Sequence, residues 1–508
     1  MRKSKWNALS WVFLVLLAAC EGFFAAVIVK LDMLPAKYGF LLLGIVVLLD
    51  LLAAILAFPK TGKWQKDQRI GRRVVAYVLA FLISAGCIAG TLAVNKLKAV
   101  LDRVTGGTSS SAVVEIYVLQ EDSASALSDM AGDAFGYTDA FDKDNIRQAM
   151  EHVSDNLNGN VSFSRYETLV DLVGALYNGE VRAILLNQAY TSILSDTEGY
   201  ADFSTRVRTL SQVTTVKQPD PTTNDPGSAV KPTSPWGGLT GNDITKKPFL
   251  LYLSGSDTRS AVLDSSRSDV NIIAAVNPVT KQILLLNTPR DYYVANPEYG
   301  GSMDKLTHLG IYGTDVSMRG LSDLYNEQID YYAQINFSGF ETLIDAIGGV
   351  TVDSDYEFWA LNEFYIQQGE NDLNGEEALA FARERYALPG GDNDRGKNQM
   401  KVITGVVKKL TSGTTILSNY TQIMDSLEGM FATNFNMNDL SKLVKMQLDD
   451  MASWHIVSYA VTGYGDSRET CSAPGEYLYV TIPDQDSVDR AIELIDMVMD
   501  GKTLPDEP

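Results

Sequence analysis

Three long apolar runs open the chain, from Ala8 to Val29, Tyr38 to Phe58 and Val74 to Val94, broken only by Glu21 and Asp50 among charged residues. A helix needs about 20 apolar residues to cross the hydrocarbon of a bilayer, and each run reaches that length. Three membrane-spanning helices are therefore predicted. Beyond Val94 the pattern shortens: VVEIYVL and VRAILLN are buried-strand runs, while DKDNIRQAMEHVSDN and SRYETLVDLVGALYNG repeat apolar residues every three or four positions, as amphipathic helices do. A stretch dense in Pro, Thr, Asn, Asp and Gly follows, from Gln218 to Pro248. Such composition disfavours packed structure and marks a linker. Past it, the strand-like runs FLLYLSGSDTR, VNIIAAVN and QILLLNT alternate with the helical runs GFETLIDAIG and MKVITGVVKKL.

That alternation predicts an α/β chain. Residues 1–94 form a short tail and three spans, 95–112 a linker, 113–216 a small α/β accessory domain, 217–247 a second linker, and 248–508 a layered α-β-α domain with a mixed central sheet. The strand-like end of ETCSAPGEYLYVTIP is expected to complete that sheet.

Charge gives the spans a direction. Residues 1–94 hold 11 Lys and Arg against 4 Asp and Glu, a net of +7, and the rest of the 508 residues carries −28. Arg2, Lys3 and Lys5 precede the first span, and Lys60, Lys63, Lys66, Arg69, Arg72 and Arg73 separate the second from the third. The positive-inside rule places both segments in the cytoplasm and everything after Val94 outside. Leu17-Ala18-Ala19-Cys20 also resembles a lipoprotein cleavage box, although two further spans make a lipid anchor redundant. The acidic body lacks the basic surface that holds a phosphate backbone, which excludes a nucleic-acid binder. Its lone Cys471 has no disulfide partner, and His152, His308 and His455 are too scattered for a zinc site.

Arginine carries the candidate chemistry. Residues 249–410 contain seven arginines, six of them in four short motifs: S-G-S-D-T-R with Asp257 and Arg259, S-R-S-D with Arg267 and Asp269, T-P-R-D with Arg290 and Asp291, and R-E-R-Y-x5-D-x-x-R-x-x-x-Q with Arg383, Arg385, Asp392, Arg395 and Gln399. Guanidinium groups capture phosphate oxygens in bidentate fashion, so their convergence would make a polyphosphate site. Arg383 and Arg385, two apart, share a face if extended. Asp392, Arg395 and Gln399 share a helical stripe if a helix starts within GGDND. Asp257 and Asp269 offer the hard oxygen ligands that Mg²⁺ uses beside substrate phosphates. Surface ion pairing, worth about 0–1 kcal/mol a pair, is the bland alternative for any single motif.

These motifs, with I-N-F-x-G-F (Ile335–Phe340), L-I-D-A-I-G-G-V (Leu343–Val350) and L-N-G-E-E-A-L-A-F-A-R-E-R (Leu373–Arg385), resemble the LytR-CpsA-Psr family of wall-polymer ligases over roughly Lys247 to Leu410. The three spans and accessory domain resemble its streptococcal capsule branch. The resemblance implies transfer of a glycopolymer 1-phosphate from a polyprenyl pyrophosphate carrier to the C6 hydroxyl of peptidoglycan N-acetylmuramic acid, by a multi-pass membrane protein whose catalytic domain lies outside the cell. It implies Mg²⁺, with Mn²⁺ as the alternative, on Asp257 and Asp269. Arg267, Arg290, Arg383, Arg385 and Arg395 would clamp the pyrophosphate, with Gln399 in support and Arg259 joining the pocket. Asp392 would be a base or an orienter of arginines. Expected partners are the lipid-linked donor, peptidoglycan, the membrane and, in the capsule branch, the synthesis machinery. The family usually has Ser and Ile where Asn287 and Thr288 stand here. A non-catalytic lipid-pyrophosphate binder and a pyrophosphatase that transfers to water are the rival functions.

Overall fold

The computed structural model describes residues 2–31, 35–58, 66–105, 111–140, 142–216, 243–258, 263, 266–412 and 429–507. Its chain falls into two units. One comprises residues 1–106 with 420–425 and 436–452. It contains the helices α1 (Arg2–Leu31), α2 (Ala36–Ala57) and α3 (Lys66–Thr105), each long and apolar enough to cross a membrane over Ala8–Val29, Ala36–Ala57 and Ile70–Lys96. The third helix runs past the predicted boundary at Val94 to Thr105, and strand structure begins again at Ser111, so the described part of the expected linker is largely regular.

The second unit holds two sheets. Residues 111–216 build five strands, β1 (Ser111–Leu119), β2 (Ala134–Tyr137), β3 (Ser162–Arg165), β4 (Ala183–Asn187) and β5 (Val207–Val216), in the order β3-β2-β4-β1-β5. Helices α4 (Lys143–Asn156), α5 (Leu169–Tyr177), α6 (Thr191–Asp196) and α7 (Phe203–Arg206) complete this domain. Every residue of β4 is buried, because both sheet faces are covered. One face packs Val114, Ile116 and Val118 against Ile146, Ala149 and Val153 of α4. The other packs Leu169, Leu172 and Ile193 in a core that continues into Ile311, Ala473 and Leu478, residues of the domain that follows.

That domain contains β6 (Phe249–Ser256), β7 (Ser268–Asn277), β8 (Gln282–Asn287), β9 (Tyr293–Asn296), β10 (Ser302–Lys305), α8 (Leu306–Tyr312), α9 (Thr314–Tyr325), β11 (Tyr331–Asn336) and α10 (Phe337–Ala346). It continues with the short strands β12 (Val350–Ser354), β13 (Phe358–Ala360), β14 (Phe364–Ile366) and β15 (Gly369–Leu373), then α11 (Gly375–Arg383), α12 (Asp392–Thr411), β16 (Phe431–Thr433), β17 (His455–Ala460), β18 (Gly463–Thr470) and β19 (Ala473–Pro483). The helix Gln485–Met499 closes it. The central sheet has six strands in the order β16-β11-β6-β7-β8-β17. It is mixed: β11 and β17 join it parallel to β6 and β8, and the other pairings are antiparallel.

Alternation sends Leu250, Tyr252, Ile273, Ala275, Leu284 and Leu286 to one face, where they pack on Leu309, Leu321, Tyr325, Leu494 and Ile495. Asn287 lies on the opposite face, where α12 passes so close that a Cβ on Gly396 would sit 2.2 Å from Asn287 Nδ2. Helices thus cover both faces of a mixed sheet, as the residue pattern predicts. One expectation fails. Residues 473–483 do not complete the sheet; they pair with β18 as a separate two-stranded ribbon, and β17 takes the edge position instead. The Tyr477 and Tyr479 side chains stand exposed on that ribbon, so its apolar pattern signals only a half-buried strand.

Candidate functional site

Three of the four arginine motifs lie at strand ends. Asp257 directly follows β6, and Arg267 directly precedes β7. Ser256 pairs with Ser268 and Gly255 with Val270, which leaves Asp269 as the extra residue of a β-bulge. A bulge re-aims the side chain it carries, and this one falls where the sheet opens. Burial and the neighbouring Asp269 carboxylate push the Asp257 carboxyl above its usual range, against the opposing pull of Arg267 and Arg290. Behind this bend, α8 presses on the strand start through Gly310, whose added Cβ would meet the Ser268 amide nitrogen at 2.7 Å.

Arg290 follows β8 and donates from Nη1 to Asp269 Oδ1 at 2.7 Å, with its Nε 3.7 Å from Asp291 Oδ2. Burial opposes charge on Arg290, but Asp269, Asp291, Asp392 and Asp196 outweigh it and hold the guanidinium firmly protonated. Lys305, at the N-cap of α8, places Nζ 3.4 Å from Asp291 Oδ1 and 3.4 Å from Asp196 Oδ2. Arg267 Nη1 donates to the same Asp196 oxygen at 3.1 Å.

The remaining motif straddles two helices. Arg383 ends α11 rather than lying in an extended segment, so the face-sharing expected of Arg383 and Arg385 does not arise from strand geometry. The Arg383 guanidinium stacks 4.6 Å from the Phe337 ring centre, and the Phe337 amide donates to the carbonyl of Thr258, next to Asp257. Arg385 stacks on Tyr386. Helix α12 starts at Asp392 with Gly391 at its N-cap, within GGDND as predicted, and Asp392 Oδ1 lies 2.5 Å from Arg395 Nη2. Burial raises the Asp392 carboxyl, Asp291 adds to the rise, and Arg395, Arg290 and Arg385 oppose it. Gln399 is buried and donates to the Ala382 carbonyl at 3.3 Å, fastening α12 to the end of α11.

The shared field of Asp257, Asp269, Arg267, Arg290, Arg385, Asp392 and Arg395 is thus one cluster. Arg383 reaches its rim through Phe337, and Arg259 lies outside the described residues. Asp196 and Lys305 are members that sequence reasoning missed: neither belongs to an arginine motif. Glu384 is another. Its buried carboxylate accepts from the amides of Arg385, Tyr386 and Ala387 at 2.9, 2.8 and 3.0 Å and from Leu361 at 2.6 Å, fixing the backbone between the two arginines. The central E of R-E-R was its only signal.

The Asp269 carboxylate is close enough to raise the proton affinity of Asp257, a crowding that suits a cation between them, and Asp269 keeps Oδ2 free of Arg290. Among the described residues no group of three or more His, Cys, Asp or Glu could hold a metal alone. The pair therefore fits an ion such as Mg²⁺, which takes its remaining oxygens from water and phosphate. A cavity of about 540 Å³ between α12, β12 and β17 is lined by Lys397, Lys401, Lys408 and Asp355 and by none of the clustered arginines.

Comparison with known proteins follows this geometry. The family model described as the LytR_cpsA_psr family matches residues 209–490, more than half of the chain. A polyisoprenyl-teichoic acid–peptidoglycan teichoic acid transferase TagU from Enterococcus faecalis is 35% identical over 200 residues, which cover 39% of this chain and 65% of that protein, just under two thirds. A protein of the same name from Bacillus anthracis is 32% identical over 211 residues, covering 41% of this chain and 68% of its own. Among solved structures, TagT bound to LIIa-WTA aligns over 52% of this chain and 94% of its own, with 25% identity and a TM-score of 0.42. TagV of B. subtilis aligns over 51% and 99%, with 25% identity and the same TM-score of 0.42. With its strand-end motifs in place and more than half of its length under the family pattern, the chain belongs to the LytR-CpsA-Psr family.

Proposed function

We propose that this protein is a phosphotransferase that moves a wall glycopolymer, as its 1-phosphate, from a polyprenyl pyrophosphate carrier to the C6 hydroxyl of peptidoglycan N-acetylmuramic acid. The observation that carries the reading is the cluster of Arg267 and Arg290 around the Asp257–Asp269 pair at the ends of β6, β7 and β8, to which Asp196, Asp291 and Asp392 join Lys305 and Arg395. The names of the E. faecalis and B. anthracis relatives support a teichoic-acid type of polymer.

Phosphoryl transfer depends on positioning and charge stabilisation, and needs no covalent nucleophile. The acceptor oxygen attacks the sugar-linked phosphorus, the bridging P–O bond breaks, and the lipid phosphate leaves with the electron pair. Arg290 and Arg267 hold the phosphoryl oxygens as charge moves onto them. Arg385 and Arg395 close the other side. Asp392, raised by burial toward working pH, takes the acceptor proton, for which a carboxyl nearer neutrality is better suited. Mg²⁺ on Asp257 and Asp269 would neutralise pyrophosphate charge when bound. The spans keep the catalytic domain at the membrane that holds the donor, with the N-terminus in the cytoplasm and the domain outside.

Incubation of the full chain in detergent with a lipid-pyrophosphate-linked glycan and peptidoglycan tests the proposal. A glycan–peptidoglycan phosphodiester is expected. Free sugar phosphate alone would assign a hydrolase, and bound but unconverted donor a non-catalytic binder.

A further inference from the structure

Asp196 belongs to the accessory domain, yet its carboxylate lies among the cations of the catalytic domain. Its Oδ2 alone accepts Arg267 Nη1 at 3.1 Å and lies 3.4 Å from Lys305 Nζ. Two cations brought this close repel each other, and a shared carboxylate oxygen turns that arrangement favourable. Neither cation is on the surface: the side chains of Arg267 and Lys305 are 13% and 4% exposed. A buried ammonium without counter-charge is costly, and Lys305 finds such charge in Asp291 and Asp196.

The carboxylate is delivered rigidly. Asp196 is the last residue of α6, whose Ile193 and Leu194 are fully buried in the core shared by the two domains. Thr197, the next residue, is itself buried and donates back to the Ile193 carbonyl at 2.9 Å. The docking contact grips α8 at both ends. Lys305 caps its start, and Tyr312 at its finish packs edge-on against Tyr190 of the accessory domain, with ring centres 6.1 Å apart. Ile311 of the same helix enters the shared core.

We infer that the accessory domain completes the site: Asp196 is a positioning residue that holds Arg267 and Lys305 side by side for the donor pyrophosphate. The inference rests on the reading of the site as a pyrophosphate clamp. A carboxylate merely standing in for an absent phosphate would behave in the opposite sense, because its loss would free both cations for the ligand.

Binding of inorganic pyrophosphate with Mg²⁺ to the full chain in detergent, followed by calorimetry, separates these cases, together with kcat and KM for transfer. The isosteric Asp196→Asn is expected to bind the probe about tenfold more weakly, the effect of losing one charge-assisted hydrogen bond. Lys305→Gln is expected to cost less in the Asp196→Asn background than in the wild type, a coupling that a general loss of stability does not produce. Equal or tighter binding by Asp196→Asn, or strictly additive effects, overturns the inference while leaving the clamp intact. If the wild type does not bind the probe, or if Arg290→Ala binds it equally well, the clamp reading falls and this inference with it.

Discussion

Arg290 and Asp269 meet through a 2.7 Å hydrogen bond that joins the end of β8 to a bulge in β7. The pair sets a cation and a metal-type ligand against each other at the point where the central sheet opens. Replacing Arg290 with Ala removes a guanidinium aimed at developing phosphoryl charge. The expected loss of transfer is about 100- to 1,000-fold in kcat, the range seen when one such donor is removed. Arg290→Lys restores little of it, since an ammonium lacks the planar fork. Transfer kinetics on purified variants check both; an Arg290→Ala enzyme within threefold of wild type would remove this residue from the mechanism.

Asp392 carries a separate expectation. Asp392→Asn keeps the shape of the α12 start but removes a proton acceptor, so kcat is expected to fall by about 100-fold or more while donor binding changes little. If Asp392 serves only to orient Arg395, 2.5 Å away, the variant will instead lose affinity for the donor as Arg395→Ala does. Donor binding measured on both variants decides between them.

Removal of divalent cation is expected to abolish transfer, with Mg²⁺ restoring it. Asp257→Ala should shift the Mg²⁺ titration to higher concentration, because one of two protein oxygens is lost. Full activity in excess chelator would mean that the Asp257–Asp269 pair holds no metal during turnover.

Glu384 tests the scaffold beneath the arginines. Its carboxylate accepts four backbone amides, three on one oxygen, and this hydrogen bonding opposes burial and holds the carboxyl below its usual range. Glu384→Leu strands those donors and is expected to cost about 1–3 kcal/mol for the lost acceptor. Urea unfolding of the full chain in detergent reads the loss, and an unchanged midpoint contradicts it.

Stability carries a pH signature from Asp330. Burial pushes its carboxyl up to about 6, even though Oδ2 accepts the Leu250 amide at 3.0 Å. The folded state therefore favours the protonated acid more than the unfolded chain does, whose value lies near about 3.9. That contribution is full below about pH 4 and is lost as pH rises through about 6, on the order of 3 kcal/mol in all. Asp330→Asn does not titrate. The difference in unfolding free energy between the two proteins should change across pH 4 to 6 in favour of the variant, and a flat difference would refute the assignment.

How far these residues could be read from sequence follows from the range of the forces that place them. Consecutive apolar residues in VNIIAAVN and QILLLN reveal strands covered on both faces, and β7 and β8 occupy the sheet interior accordingly. The strand in ETCSAPGEYLYVTIP was legible as a strand but not as half of a ribbon, because its hairpin partner, residues 463–470, is polar and largely exposed and carries no strand pattern. Arg267, Arg290 and Arg395 announced themselves through short local motifs. Asp196 did not. It lies 71 residues before its partner Arg267, in a domain whose own pattern describes only a core, and the core that Ile193 shares with Ile311, together with Tyr190 on Tyr312, brings it to the site. Lys305 was hidden for the same reason, since a single Lys before a helix signals nothing until Asp291 and Asp196 surround it.

The central claim is that the clamp transfers a glycopolymer phosphate to peptidoglycan rather than to water. Its most direct measurement follows ³²P from a β-labelled or α-labelled polyprenyl pyrophosphate donor carrying the glycan. With the sugar-linked phosphorus labelled, the account predicts that radioactivity enters the peptidoglycan in step with the glycan and that Arg290→Ala abolishes both. Label released as soluble sugar phosphate, or glycan reaching peptidoglycan without the label, would contradict it.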